Sequence, residues 1–250
     1  MFFAKTRFCK WSPKISTMQK EALLLLNIES SSEFCSVALS RGAEVVSFAA
    51  TEEKFAHAKS LTLLIEKCLS EKKTVLSDLA AVAVSRGPGS YTALRVGSSV
   101  GKGICYALNK PLIAVDTLKS LATAAYALEK DDAALYVPMI DARRMEVYTA
   151  QFGPAGKRLS ETSADIITEN SYKNIFKSEK KVIFCGGGAE KCRSVIQSPF
   201  AHYLPVVCSA LHLPSLSLRA YTEKRFEDTA YFEPEYFKAP NITKSKKKLF

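Results

Sequence analysis

Histidine is scarce in this sequence: His57, His202 and His212 are the only three in 250 residues, and Leu61 stands four positions after His57. A metal held by protein side chains needs clustered His, Cys, Asp or Glu ligands, so this scarcity argues against a catalytic metal. Cysteines number seven, an odd count, and no CxxC pair occurs. That usage excludes a disulfide frame or a zinc ribbon and fits a reducing compartment. The one GxSxG spacing, Gly97 to Gly101, falls inside a helical pattern and not at the strand-to-helix turn of a nucleophile elbow. No apolar run approaches the span of a membrane helix. The positive N-terminus also lacks a signal-type apolar region, because residues 23–26 are cut short by Asn27 and Glu29. A cytoplasmic protein without a membrane partner is expected.

What is present begins with charge. The formal net charge is +10. Lys5, Arg7, Lys10, Lys14 and Lys20 lie in residues 1–20 with no acid, and Lys238, Lys244, Lys246, Lys247 and Lys248 lie in residues 238–250 with no acid. These two ends account for the whole excess, so the body between them has no obligatory basic face. Phosphate attraction would come mainly from the tails, long in range and screened by salt. Residues 1–20 are expected to be a disordered basic extension. Met18, just before the first apolar strand, is an alternative start that makes residues 1–17 an extension.

The order of elements points to an α/β protein. Residues 22–28 form a continuous apolar run, which predicts a strand buried on both faces, and residues 34–39 and 44–49 supply two more strands of an antiparallel meander. Leu61, Leu64, Ile65, Cys68 and Leu69 follow helical spacing. A strand over 79–84, a helix over 93–108, a strand over 112–115 and a helix starting at Asp116 or Thr117 come next. The pattern then starts again with strands over 135–140, 146–152 and 181–185, a short helix over 189–196 and a last helix over 215–226. The expectation is two tandem ribonuclease-H-like lobes of the actin/hexokinase/Hsp70 superfold, the second reduced. The first lobe is expected over 21–112 and the second over 113–237, with helix 215–226 packing back on the first and a basic tail over 238–250.

Three glycine-bearing segments invite functional readings. In Gly87-Pro88-Gly89-Ser90-Tyr91-Thr92 the glycines free the backbone, proline stiffens the turn, and Ser90 or Thr92 can cap the following helix. Bare amides there would suit an anion, and a strand-to-helix turn that binds nothing is an equal reading. Gly97 and Gly101 fall inside a helix, where close helix packing outweighs a phosphate loop because the spacing and the residue after Lys102 are wrong for one. Gly186-Gly187-Gly188 follows a strand and is either a backbone approach to a nucleotide or a loop. Asp141-Ala142-Arg143-Arg144 reads as an exposed hairpin with a salt bridge.

The segment from Arg86 through Thr92 to Arg95 and Gly97 closely resembles the hallmark segment of the TsaB/YeaZ family. Residues 28–31 with 35–39 are similar to its opening hairpin, 57–61 to the start of its first helix, 140–148 to its second-lobe hairpin, and 233–238 to its C-terminus. Glu29 stands where the family usually has Asp, and Ala93 where it has Gly. The resemblance implies a protein without catalytic residues, paired with a metal-bearing paralogue, TsaD. That paralogue transfers a threonylcarbamoyl group, made by a separate enzyme, to the adenosine beside the anticodon of tRNA. Its metal sits on a His-x-x-x-His helix, whose counterpart here carries His57 and Leu61.

Further implications are a TsaE-type ATPase partner, tRNA reached through the complex, no tightly bound cofactor, and ATP or ADP at the complex interface. Arg86, Gly87, Pro88, Gly89, Ser90, Tyr91, Thr92 and Arg95 form the motif loop with its anion or nucleotide contact, and Glu29, Gly186, Gly187 and Gly188 stand near such a nucleotide. The expected partner face is His57, Leu61, Leu64, Gly97, Val100, Gly101 and Ile104, with a homodimer through it when the partner is absent. The rivals are a nucleotide-dependent small-molecule kinase of the same superfold, a glycoprotease-like peptidase, and a tRNA-binding module acting through its tails.

Overall fold

The structure is a computed structural model that describes residues 23–238. The extension over 1–20, Met18, and the tail beyond Lys238 lie outside the described residues.

Strand β1 (Leu24–Glu29) is buried along its whole length, as its nearly unbroken apolar sequence requires. It pairs antiparallel with β2 (Ser36–Arg41), which pairs antiparallel with β3 (Glu44–Ala50). On the other side of β1, β4 (Ala81–Gly87) and then β5 (Leu112–Asp116) run parallel, giving the order β3-β2-β1-β4-β5. The second sheet repeats this plan. Strands β6 (Leu135–Asp141), β7 (Glu146–Thr149) and β8 (Ser163–Ile166) are antiparallel neighbours, and β9 (Val182–Cys185) and β10 (Ala201–Tyr203) extend it in parallel beyond β6. Its order, β8-β7-β6-β9-β10, is the first order over again. The molecule is therefore a pair of tandem ribonuclease-H-like lobes.

Alternation along each strand decides what lies on each face. Leu24, Leu26 and Ile28 join Val82, Val84 and Leu112 beneath helices α1 (His57–Glu71) and α2 (Tyr91–Leu108). Leu25, Ala83, Ile113 and Val115 face the other way, against Leu213 and Ala220 of the closing helix region. Helix α3 (Thr117–Glu129) starts at Asp116, whose side chain accepts from the Lys119 amide at 2.9 Å. It buries Leu118, Leu121, Ala122 and Ala125 in the second lobe. Helices α4 (Lys173–Phe176) and α5 (Ala189–Cys192) span only four residues each, so lobe two is the reduced one.

Helix α6 (Pro214–Thr222) returns to lobe one, where the Ser217 hydroxyl donates to Asn27 Oδ1 at 2.6 Å. Asn27 Nδ2 in turn donates to Ser40 Oγ and the Ala38 carbonyl, so this one polar residue of β1 is satisfied in the core.

Three sequence expectations need correction. The boundary between residues 112 and 113 cuts through β5; the first sheet needs that strand as its fifth member, so lobe one runs to Asp116. The short helix expected over 189–196 ends at Cys192, and the last helix ends at Thr222 and not at 226.

Candidate functional site

Because β1 and β4 are parallel neighbours, their C-terminal ends emerge side by side, the place where sheets of this kind present ligand sites. The Ser30 amide donates to Ser85 Oγ at 3.1 Å, and the Ser90 amide to the Ser31 carbonyl at 2.7 Å. Gly89 lets the loops meet: a Cβ there would lie 2.4 Å from the Ser31 oxygen. Gly87 adopts φ +110°, in the region that favours glycine, with a cis bond to the buried Pro88. Ser90 stands at the N-cap of α2 without a side-chain capping bond, and Thr92 is exposed.

Glu29 ends β1 fully buried. One carboxylate oxygen accepts from the Ser31 amide at 2.7 Å, and Oε2 has no hydrogen-bond partner among the described residues. Burial raises its pKa above the usual 4.5, opposed by hydrogen bonding from Ser31. Burial, with the Glu29 carboxyl nearby, also holds the Cys208 thiol well above its ordinary range.

Lobe two builds the same corner differently. Asp141, the last residue of β6, is exposed, pairs with Lys191 and accepts from the Arg143 amide at 2.8 Å. The hairpin's salt bridge thus goes to Lys191, which also donates to the carbonyls of Arg144 and Glu146 at 2.7 Å each. Gly186, at φ +95°, and Gly188 press on β6, and a Cβ on Gly186 would lie 2.3 Å from the Met139 oxygen. Gly187 alone is exposed with open space around it.

The expected partner face is only partly at the surface. Gly97 and Gly101 are buried; a Cβ on Gly97 would lie 2.1 Å from Ser30 Oγ, and one on Gly101 2.6 Å from Val84 Cγ1. Those glycines let α2 sit on its own sheet, so a partner groove at Gly97 and Gly101 is ruled out: the space is filled. His57 and Leu61 are also buried, 4% and 1% exposed, and turn toward the lobe's own core. Burial holds His57 below the ordinary imidazole range, and its Nε2 has no partner among the described residues. Leu64, Val100 and Ile104 are half-buried and do reach the outer surface, beside Val96 and the exposed Leu63.

Residues 227–238, left without a role by sequence reasoning, prove central. The Glu235 amide donates to the Arg86 carbonyl at 2.7 Å, and the Glu235 carboxylate lies 3.1 Å from Arg86 Nε. Tyr236 packs on Tyr91 with ring centroids 4.4 Å apart and accepts from Arg95 Nε at 3.2 Å. Phe237 reaches Tyr148 and Lys238 pairs with Glu146, both in β7 of lobe two. A polar cavity of about 470 Å³ opens at this seam, lined by Asp116, Arg158, Glu161, Thr162 and residues 235–237. Asp116 and Arg158 pair across it. The signals for this segment in the sequence were four aromatics and a proline set in a polar stretch, and the likeness of 233–238 to the family C-terminus. Among the described residues no three His, Cys, Asp or Glu side chains form a metal-ligand group.

The family model described as TsaD: tRNA N6-adenosine threonylcarbamoyltransferase matches residues 51–242. The chain is 35% identical over 129 residues to the tRNA threonylcarbamoyladenosine biosynthesis protein TsaB of Haemophilus influenzae, covering 52% of this chain and 53% of that protein. It is 25% identical over 220 residues to the TsaB of Bacillus subtilis, covering 86% and 94%. The matched part thus spans about half the length of the Haemophilus relative and of its Escherichia coli counterpart. The solved structure of YeaZ from Pseudomonas aeruginosa superposes with a TM-score of 0.72 at 27% identity, covering 86% of this chain and 99% of that one. With its twin sheets and its motif loop, the chain belongs to the TsaB/YeaZ family, inside the wider group that the TsaD model describes.

Proposed function

We propose that this chain is the non-catalytic partner and activator of a TsaD-type threonylcarbamoyltransferase, acting in threonylcarbamoyladenosine modification of tRNA at the adenosine next to the anticodon. One observation carries the reading. Helices α1 and α2 lie side by side, and their outward faces keep Leu64, Val96, Val100 and Ile104 half-buried and Leu63 61% exposed. That is more apolar surface than covering one sheet needs, and it suits a second pair of helices. The buried His57 and Leu61 add support: where the paralogue's helix would carry two imidazoles for a metal, this helix packs an aliphatic side chain into its core. The same face serves a homodimer when the partner is missing. A TsaE-type ATPase and tRNA join through the complex, with ATP or ADP at its interface.

Co-purification with a TsaD-type protein tests the pairing, and tRNA modification assays with and without this chain test the activation. Modification should depend on the chain, and the chain alone should turn over neither ATP nor peptide. Leu63→Arg and Gly103→Trp place bulk on the outward face, where a Cβ on Gly103 would meet nothing within 4 Å. Both should weaken the pairing at least about tenfold while the fold stays intact. Unchanged pairing in both variants would remove this face from the proposal.

A further inference from the structure

The motif loop is already occupied. We propose that residues 86–102 form a docking site for an acidic, aromatic peptide, and that its occupant is the chain's own segment 227–238, which straps lobe one to lobe two. The receiving side is built from several elements. At the end of β4, Arg86 offers its carbonyl to the Glu235 amide and its guanidinium to two carboxylates, Glu235 at 3.1 Å and Glu227 at 3.8 Å. Gly87 makes room for the segment's backbone, since a Cβ there would lie 2.7 Å from the Glu235 oxygen. On α2, the Arg95 guanidinium lies over Tyr91 at 4.3 Å and over Tyr236 at 5.7 Å, a shelf of two rings and one cation. One turn pair further on, Lys102 Nζ grips the carbonyls of Ala230 at 3.1 Å and Phe232 at 2.9 Å.

The segment fits this site residue by residue. Phe232 and Pro234 are its buried anchors, while Glu235 and Tyr236 meet Arg86 and Arg95. Residues 229–238 contain no helix or strand. Local structure therefore contributes nothing to ordering them, and the loss of chain entropy is offset by these contacts. A single backbone hydrogen bond to the end of β4, flanked by side-chain pockets, is strand addition in miniature. The far end crosses the seam to Tyr148 and Glu146. The strap thus fixes one lobe against the other, and the anion nearest to Arg86 is the chain's own Glu235. Any external anion that uses Arg86 has to displace that carboxylate.

The test uses the full chain. Amide hydrogen exchange at Glu235 reads the strap directly, because that amide donates to Arg86. The Glu235 amide should exchange much more slowly than a free chain, and Arg95→Ala or Tyr236→Ala should each speed it by about tenfold. The double variant should do no more than Tyr236→Ala alone, because the contact with Arg95 is already lost there. The Cys105 amide, deep in α2, should be unchanged. Added to the Tyr236→Ala protein, a synthetic peptide of residues 227–238 should bind saturably, and the same peptide carrying Tyr236→Ala should not. Free-chain exchange at Glu235 in the unaltered protein would overturn the proposal. So would acceleration spread equally over α2, or no peptide binding at millimolar concentration.

Discussion

Lobe one covers the face made by Leu26, Ile28, Val82 and Val84 with helices of 15 and 18 residues, whereas lobe two covers the matching face with two helices of 4 residues each. Aromatic rings do the rest of the work there. Phe184 of β9 meets Tyr172, Phe176 and Tyr203 with centroids 5.5, 6.3 and 5.2 Å away. A helix of 15 residues is about 22 Å long and has an outer side whether the fold needs one or not. A ring plug ends where the sheet ends. Equal strand order therefore leaves the lobes unequal in what they offer to another protein on this face, where lobe one has a pair of long helices and lobe two has none.

The sharpest way to break this comparison is at the glycines that end β4 and β9. Gly87 and Gly186 occupy equivalent places, and both have positive φ, +110° and +95°. They differ in what a methyl group would strike. On Gly186 it would lie 2.3 Å from the Met139 oxygen, in the central strand of lobe two, while on Gly87 it would lie 2.7 Å from the Glu235 oxygen, in the strap. A central strand cannot yield and a strap can. Gly186→Ala should therefore destabilise by about 3–4 kcal/mol and Gly87→Ala by about 2 kcal/mol, the share set mainly by backbone strain. Urea unfolding of both variants checks this. Equal losses would mean that the strap is as rigid as β6.

Periodicity in the sequence reports that a face is buried, not what buries it. The apolar run of β1, the spacing of Leu61, Ile65, Cys68 and Leu69, and the restart of the strand pattern at 135 were enough to read two lobes of one type. Gly97 and Gly101 show the limit. Their spacing told of a close approach, but whether a partner helix or Ser30 and Val84 made it depended on contacts far away in the chain. Asn27 interrupts an apolar strand because its partner Ser217 lies 190 residues on. The strap was hidden for a related reason: with no regular structure it has no period, and its charges pair with residues far earlier in the chain, the nearest of them 92 positions away. The expected lobe boundary cut through β5 because a single parallel strand carries no mark of the sheet it joins.

A second pair of equivalent residues sharpens the comparison at intermediate size. Glu29 ends β1 and Asp141 ends β6, one buried and one exposed. Burial raises the Glu29 pKa above its ordinary 4.5. Such a group contributes stability that is fully present below the unfolded value and lost as pH rises through the folded value. The unaltered protein should therefore lose stability relative to Glu29→Gln as pH climbs above 4.5. Glutamine keeps the bond from the Ser31 amide, so the difference isolates the charge. Urea midpoints measured for both proteins across that range check it, and a constant gap would show that the carboxyl is solvated after all.

The smallest effect belongs to the partner of that pair. Asp141→Asn removes one charge from the contact with Lys191, whose ammonium keeps its two carbonyl acceptors in the hairpin. Asparagine can still accept from the Arg143 amide, which the aspartate does at 2.8 Å. The aspartate side chain is 54% exposed, so water already screens the ion pair. A loss of about 0.5 kcal/mol or less is expected, shrinking further in high salt. A loss as large as that of Gly87→Ala would mean that the hairpin of lobe two depends on charge where lobe one depends on burial, and that the two corners are held by different forces.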